Sequence, residues 1–219
     1  MSRRQPRDLS GHLIWFDAEF TTLDLERARL MQVAVMVTDS GLRPVGPPKP
    51  LVMDIRLPPR CVVSPWVRRH LADRLKAGRG PAAVPVETAD RRLAAELRRR
   101  LGPIPASIER RPVLAGNSIH TDRWLVRKFL PRFHRCLHYR QLDVSSLKFE
   151  WRRLCPEFDF EKADRALLRR YWSEEWEWGH GRHDAAFDIA ASAAELAFYR
   201  ARLLRRRVAP PSPWKGADA

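Results

Sequence analysis

Cysteines are few, and they are not spaced to work together. Cys61, Cys136 and Cys155 lie far apart, with no CxxC pattern between them. This excludes a disulfide framework or a thiolate zinc site; three reduced, mostly buried thiols of an intracellular protein are expected instead. No apolar run approaches the roughly 20 residues that span a bilayer, so no membrane partner is expected. Residues 1–11 are basic but have no apolar stretch behind them, which argues against a secretory signal. There is no internal repeat. These absences together point to a cytoplasmic protein, with a short organelle-targeting segment as the alternative left open.

Acids are scarce relative to bases: 26 Asp and Glu stand against 41 Lys and Arg, a formal net charge of +15. Such an excess favours a polyanionic partner and its fast electrostatic capture. Only six of the basic residues are lysine, however. A general arginine bias accounts for the excess equally well, so charge alone decides nothing. With 219 residues, 44% of them hydrophobic, the chain can bury one sizeable core but is short for two full domains.

Apolar runs at residues 12–16, 30–37 and 49–55 read as three strands, with a turn at 39–41 and a proline cluster at 44–50. Their closeness predicts an antiparallel meander. Ser64-Pro65-Trp66 reads as an N-cap followed by proline at the first helical position, opening a helix to about residue 76. A loop over 78–85 precedes a helix over 86–101, where Leu93 and Leu97 face inward and Arg91, Arg92, Arg98, Arg99 and Arg100 are expected to be mainly solvated. A strand over 112–115 ends at Gly116-Asn117-Ser118, and a helix to residue 130 follows. A strand fragment over 142–144 turns into a helix at Ser145, and a last long helix covers 184–204. Residues 1–11 and the proline-rich, basic 205–219 are expected to be disordered, leaving one domain over 12–204. Strands first and helices interleaved later predict an α/β sandwich with helices on both faces of a mixed sheet.

The candidate chemistry lies in acids. Asp17 and Glu19 close the first strand in Leu13-Ile14-Trp15-Phe16-Asp17-Ala18-Glu19-Phe20, and residues two apart on a strand share a face. Two carboxylates on a face that should be buried are costly unless a cation compensates them, and Mg²⁺ or Mn²⁺ suits oxygen ligands. Alone, Asp-x-Glu is a weak signal, and a solvated strand end is the more ordinary reading of it. Asp122 sits at the opening of a helix, where an acid also complements the helix dipole. His183 and Asp188 lie five apart, with Asp188 on the apolar face of the last helix and His183 at its entry.

Taken together, Asp-x-Glu on the first strand, a central Asp and His-x4-Asp near the C-terminus match the three exonuclease motifs of the DEDD family with a histidine base. The chain resembles, more narrowly, the oligoribonucleases. The stretches that carry this are residues 13–24, Gly116-Asn117-Ser118-Ile119, His138-Tyr139-Arg140-Gln141-Leu142-Asp143-Val144-Ser145-Ser146-Leu147-Lys148 and Ala194-Glu195-Leu196-Ala197-Phe198-Tyr199-Arg200. The resemblance implies a ribonuclease H-like, DnaQ-like fold, with a five-stranded mixed sheet flanked by helices. It implies removal of nucleotides from the 3′ end of short single-stranded RNA. Asp17, Glu19, Asp122 and Asp188 would hold two divalent ions (Mg²⁺ or Mn²⁺), with His183 as general base. Leu23 would wedge between the terminal bases and Trp66 would stack nearby. Ser118, His70, Tyr139 and Arg140 would meet the 5′ phosphate, the last two from the partner subunit of a homodimer.

The chain departs from the pattern in places. Ala18 and Thr22 replace a larger apolar residue and a glycine, Gln32 stands for a usual Glu, and Phe187 stands for a usual acid. Residues 156–182 form a longer insertion holding the Trp-rich stretch 171–178, which could cover the site, meet a protein partner or pack as an extra helix. A broader exonuclease on longer single-stranded RNA or DNA, and a non-catalytic RNA-binding or assembly subunit, are the competing readings.

Overall fold

The structure, a computed structural model, describes residues 7–47, 49–157, 159–172 and 184–203. Five strands form one mixed sheet: β1 (Leu13–Phe20), β2 (Leu30–Thr38), β3 (Leu51–Asp54), β4 (Val113–Gly116) and β5 (Gln141–Asp143), ordered β3-β2-β1-β4-β5. The first three are antiparallel neighbours, as the meander predicts, and β4 runs parallel to β1 and to β5. β2 is buried along its whole length, so it reads as a continuous Val, Met and Ala run rather than an alternating one.

Helices cover both faces. Ile14, Phe16 and Ala18 of β1 enter the core with α3 (Val86–Leu101), α4 (Ile119–Phe129) and α5 (Pro131–His134). Leu13 and Trp15 point the other way, into the core with α6 (Val144–Leu154), α7 (Arg165–Tyr171) and α8 (Ala185–Leu203). Asp17 and Glu19 continue that second alternation, so β1 aims both carboxylates at the α8 side.

The helix expected from Pro65 is two: α1 (Pro65–His70) and α2 (Ala72–Ala77). The break is Leu71, at φ −124°, whose buried side chain joins a small core with Met31, Leu57, Val63, Val67 and Leu75. Ser64 caps α1 by accepting from Val67 N–H at 3.2 Å.

Arg100, expected to be solvated, is buried with 3% of its side chain exposed. Its guanidinium donates to the carbonyls of Val45, Pro47 and Lys49 at 2.9–3.0 Å and to Glu96, satisfying a proline loop that cannot bond to itself. Residues 7–11, expected to be disordered, are partly held by the core: Leu9 is buried and its N–H donates to Arg110 O at 2.8 Å. Residues 205–219, also expected to be disordered, lie outside the described residues.

Residues 156–182, expected to be an insertion, contribute α7, capped by Asp164, which accepts from Ala166 and Leu167 N–H. Phe160, Leu168 and Trp172 pack into the α8 core together with Phe187. The helix therefore buries the apolar residue that replaces the expected acid next to Asp188. Residues 173–183 lie outside the described residues.

Candidate active site

Asp17, Glu19 and Asp188 converge. One carboxylate oxygen from each lies within 4.8 Å of the others, the two strand acids facing the first turn of α8. Asp122 is not part of that triplet, but it lies just behind it. Buried in the first turn of α4, its carboxylate accepts from Ala18 N–H, between the two strand acids, at 3.0 Å.

The electrostatics are those of crowded, buried acids. Burial drives the Asp17 carboxyl well above the ordinary carboxylate range, helped by repulsion from Asp122, Asp188 and Glu19, with Lys162 offsetting a little. Burial likewise raises Asp122, against the hydrogen bond from Ala18. Glu19 is pushed up to about 7, first by burial and then by Asp188, while Arg74 pulls it down. Acids this close are neutral or bound to cations. The donor set is all oxygen, on rigid elements and partly open, so the residues fit divalent metal ions. Glu19 remains partly exposed at the rim.

Beside the acids lies a groove of about 610 Å³ lined by Glu19, Leu23, Ser64, Trp66 and Arg69, among others. Leu23 is 85% exposed on the loop after β1 and Trp66 is 43% exposed on α1, so neither is a core residue. The loop is held by Thr22 Oγ1, which accepts from Asp24 N–H at 3.3 Å where a glycine was expected. Ser64 N–H donates to Thr21 O at 2.9 Å, tying α1 to that loop. His70 stacks on Trp66, centroids 4.6 Å apart, with Nδ1 2.9 Å from Trp66 O.

Ser118 sits at the C-terminal end of β4, at φ 49°. Gly116 precedes it because a Cβ there would lie 2.9 Å from Phe16 O. Ser118 N–H donates to Asp143 Oδ1 and Ser145 Oγ at 3.0 and 2.9 Å, which stabilises the left-handed backbone.

Tyr139 and Arg140 are not brought to this site. They precede β5, which is parallel through β4 to β1, so they lie at the opposite end of the strands from Asp17 and Glu19. Both are exposed, with Arg140 5.4 Å from the Tyr139 ring. His183 lies outside the described residues.

Some participants escaped the sequence reading. Arg74 of α2 pairs with Asp184 at 2.5 Å, beside Glu19. Glu195, fully buried, accepts from Asn117 Nδ2 and Tyr199 O–H, each at 2.8 Å, and lies 3.2 Å from Lys148 Nζ. Glu195 and Tyr199 lie in one of the stretches that resemble the oligoribonucleases, but nothing in the sequence marks Arg74.

No family model matches the chain. An oligoribonuclease from Corynebacterium efficiens is 33% identical over 209 residues, covering 94% of this chain and 86% of that protein. The chain belongs to the oligoribonuclease family. Another oligoribonuclease, from Tropheryma whipplei, is 31% identical over 89% of this chain and 94% of its own length. The human mitochondrial oligoribonuclease is 28% identical over 91% and 76%. Among solved structures, exonuclease I from Methylocaldum szegediense matches with a TM-score of 0.63 at 19% identity, over 89% of this chain. E. coli exonuclease I in complex with a dT13 oligonucleotide matches at 0.62 and 16%, again over 89%. This oligoribonuclease-family chain spans only 41% and 42% of those two chains, and the likeness carries the fold: ribonuclease H-like, of DnaQ type. No described helix is long and apolar enough to cross a membrane.

Proposed function

We propose that this protein is a two-metal-ion 3′→5′ exoribonuclease that degrades short RNA oligonucleotides, dinucleotides included, to nucleoside 5′-monophosphates. The observation that carries the proposal is the convergence of Asp17, Glu19 and Asp188 within 4.8 Å, next to the groove of Leu23 and Trp66. Asp17, Glu19, Asp122 and Asp188 would hold the ions, and their hard oxygens would favour Mg²⁺ or Mn²⁺. When bound, the ions supply an acidified water and offset charge on the reacting phosphate.

The chain's own residues do the rest. His183 takes the proton of the attacking water, a role suited to an imidazole near neutral pH. Leu23 and Trp66, which line the same groove, meet the terminal bases. Ser118 and His70 meet the 5′ phosphate. His70 Nδ1 is engaged with Trp66 O, so Nε2 is the ring nitrogen that faces a phosphate in this reading.

Tyr139 and Arg140 complete the 5′ clamp from the second subunit of a homodimer. Their exposure, and that of Phe149 and Leu154 at 63% and 68%, supports such an interface. A closed 5′ clamp leaves no exit for a long chain, which is what restricts the substrate to short RNA. We place the enzyme in the cytoplasm. Trp172 packs internally, and the protein partner proposed for the 171–178 stretch would not be met by that residue.

A product ladder tests this reading. Purified protein with Mn²⁺ or Mg²⁺ is given 5′-labelled RNAs of two to about twenty nucleotides, with EDTA and His183→Ala controls. Rapid metal-dependent cleavage of dinucleotides, with long RNAs nearly untouched, is the expected result. Even trimming of long chains would keep the chemistry and discard the clamp. No cleavage with either metal would overturn the proposal in favour of a binding subunit.

A further inference from the structure

The first turn of α8 is held from two sides by residues that hold no metal. Asp184 precedes the helix and is 7% exposed. Its Oδ1 accepts from Ala186 N–H at 3.0 Å, capping the helix, and its carbonyl accepts from Asp188 N–H at 2.9 Å. Its other oxygen, Oδ2, takes Arg74 Nη2 at 2.5 Å. Arg74 belongs to α2, one break away from α1, which carries Trp66 and His70. On the other side Gln32, 2% exposed and in register with Glu19, makes two bonds of opposite sense. It donates to Asp54 Oδ1 at 3.0 Å and accepts from Ala185 N–H at 3.3 Å. A glutamate at position 32 could accept but not donate when ionised, so the Gln departure matches this arrangement.

Groups that orient metal ligands without touching the metal matter because coordination tolerates little angular error. Asp188 is one turn from Asp184, so any rotation of that turn moves its carboxylate relative to Asp17 and Glu19. We propose that Arg74, through Asp184, is a positioning residue. It locks the first turn of α8 to the α1–α2 pair, so that the metal-holding acids and the base-binding wall keep one fixed spacing. This rests on the metal-site reading above, and it adds a link that spans 110 residues of sequence.

The alternative is that Arg74 acts only through its charge on the acid cluster, and the two roles differ in sign. Removing a cation from beside Glu19 would tighten divalent binding on electrostatic grounds. Removing a positioning residue weakens it, typically by about 10- to 100-fold.

The test is Mn²⁺ binding measured by calorimetry in the absence of substrate, on wild type, Arg74→Met, Arg74→Lys, Asp184→Asn and the double variant Arg74→Met/Asp184→Asn. The asparagine keeps an acceptor for the Ala186 N–H but loses both the ion pair and the negative charge near Glu19, so the Arg74 variants decide between the two roles. Weaker Mn²⁺ binding in both single variants is expected, with Arg74→Lys in between and the double variant no worse than the singles, because the pair acts as one unit. On a dinucleotide, kcat at limiting Mn²⁺ should fall with KM within about twofold, since neither residue is placed on the substrate. Unchanged or tighter Mn²⁺ binding in Arg74→Met would overturn the proposal, as would a lowered melting temperature with unchanged Mn²⁺ affinity. If Arg74→Met does not fold, Arg74→Lys, which keeps the charge and changes the geometry, carries the comparison, and unchanged Mn²⁺ affinity in it would overturn the proposal. Wild-type turnover reports separately on the activity itself, so a failure there is distinct from a failure of this link.

Discussion

Asn117 Nδ2 donates to Oε2 of Glu195 at 2.8 Å, joining the turn after β4 to the middle of α8. Glu195 is fully buried, and its other oxygen is shared by Tyr199 O–H and Lys148 Nζ. One carboxylate thus fixes α8 against both β4 and α6, and so fixes the relative places of Ser118 and Asp188. Burial, together with this neighbouring carboxylate, also holds the Tyr199 phenol well above its usual range.

Glu195→Ala would leave Asn117 Nδ2, Tyr199 O–H and the Lys148 ammonium without their shared acceptor. A loss of roughly 2–4 kcal/mol is expected in urea unfolding. Tyr199→Phe removes a single donor and should cost about 1 kcal/mol. Equal effects of the two variants would refute the idea that the carboxylate is the hub.

Asp17→Ala and Asp188→Ala should each abolish turnover. Both should also stabilise the metal-free protein above neutral pH, since each relieves repulsion in a buried cluster. Circular dichroism melts in EDTA, paired with dinucleotide assays in Mn²⁺, check the two halves together. Retained activity in either variant would discard the assigned metal site.

The Glu19 carboxyl is raised from 4.5 to about 7 in the folded state. Between those values the native state holds a proton that the unfolded chain releases. Its contribution to stability is therefore full below pH 4.5 and is lost as the pH rises through about 7. In EDTA, wild type should lose about 3 kcal/mol relative to Glu19→Gln between those limits. Saturating Mg²⁺ or Mn²⁺ should remove most of that decline, because a bound cation replaces the proton. A pH-independent difference between the two proteins would contradict the raised value.

Ser64→Ala removes the acceptor for Val67 N–H and should cost about 1 kcal/mol. Because the same residue's N–H anchors α1 to Thr21, loosening the cap also loosens the wall that carries Trp66. KM for a dinucleotide should rise several-fold with little change in kcat. A fall in kcat alone would place the effect in the metal site instead.

The meander, α3 and the acid pair on β1 were legible in the sequence because each depends on a short-range period. The apolar runs fix the strands, and a spacing of two fixes the shared face of Asp17 and Glu19. The break at Leu71 was not legible: Ser64-Pro65 announces a start, and nothing local announces a stop that is set by burial of one leucine. Arg100 was misplaced for a similar reason. Its neighbours Arg98 and Arg99 repeat its chemistry, and only the proline loop 51–55 positions away selects it for burial. The Arg74–Asp184 pair joins two residues that have no pattern in common. Of the residues carried by the family motif, Asp17, Glu19 and Asp188 converge with Asp122 behind them, whereas Arg74, which holds the turn before Asp188, had no sequence signal.

The placement of Tyr139 and Arg140 at the far end of the sheet from Asp17 has a genetic corollary. If each catalytic centre borrows these two from its neighbour, the chain is a half-enzyme, and two different defects can cure one another. Asp17→Ala subunits still lend an intact clamp; Tyr139→Ala/Arg140→Ala subunits still own intact acids. Co-refolded in equal amounts, two nearly dead proteins should recover about a quarter of wild-type turnover, the share of sites in which a good clamp meets good acids. Subunits that each worked alone would show no such rescue.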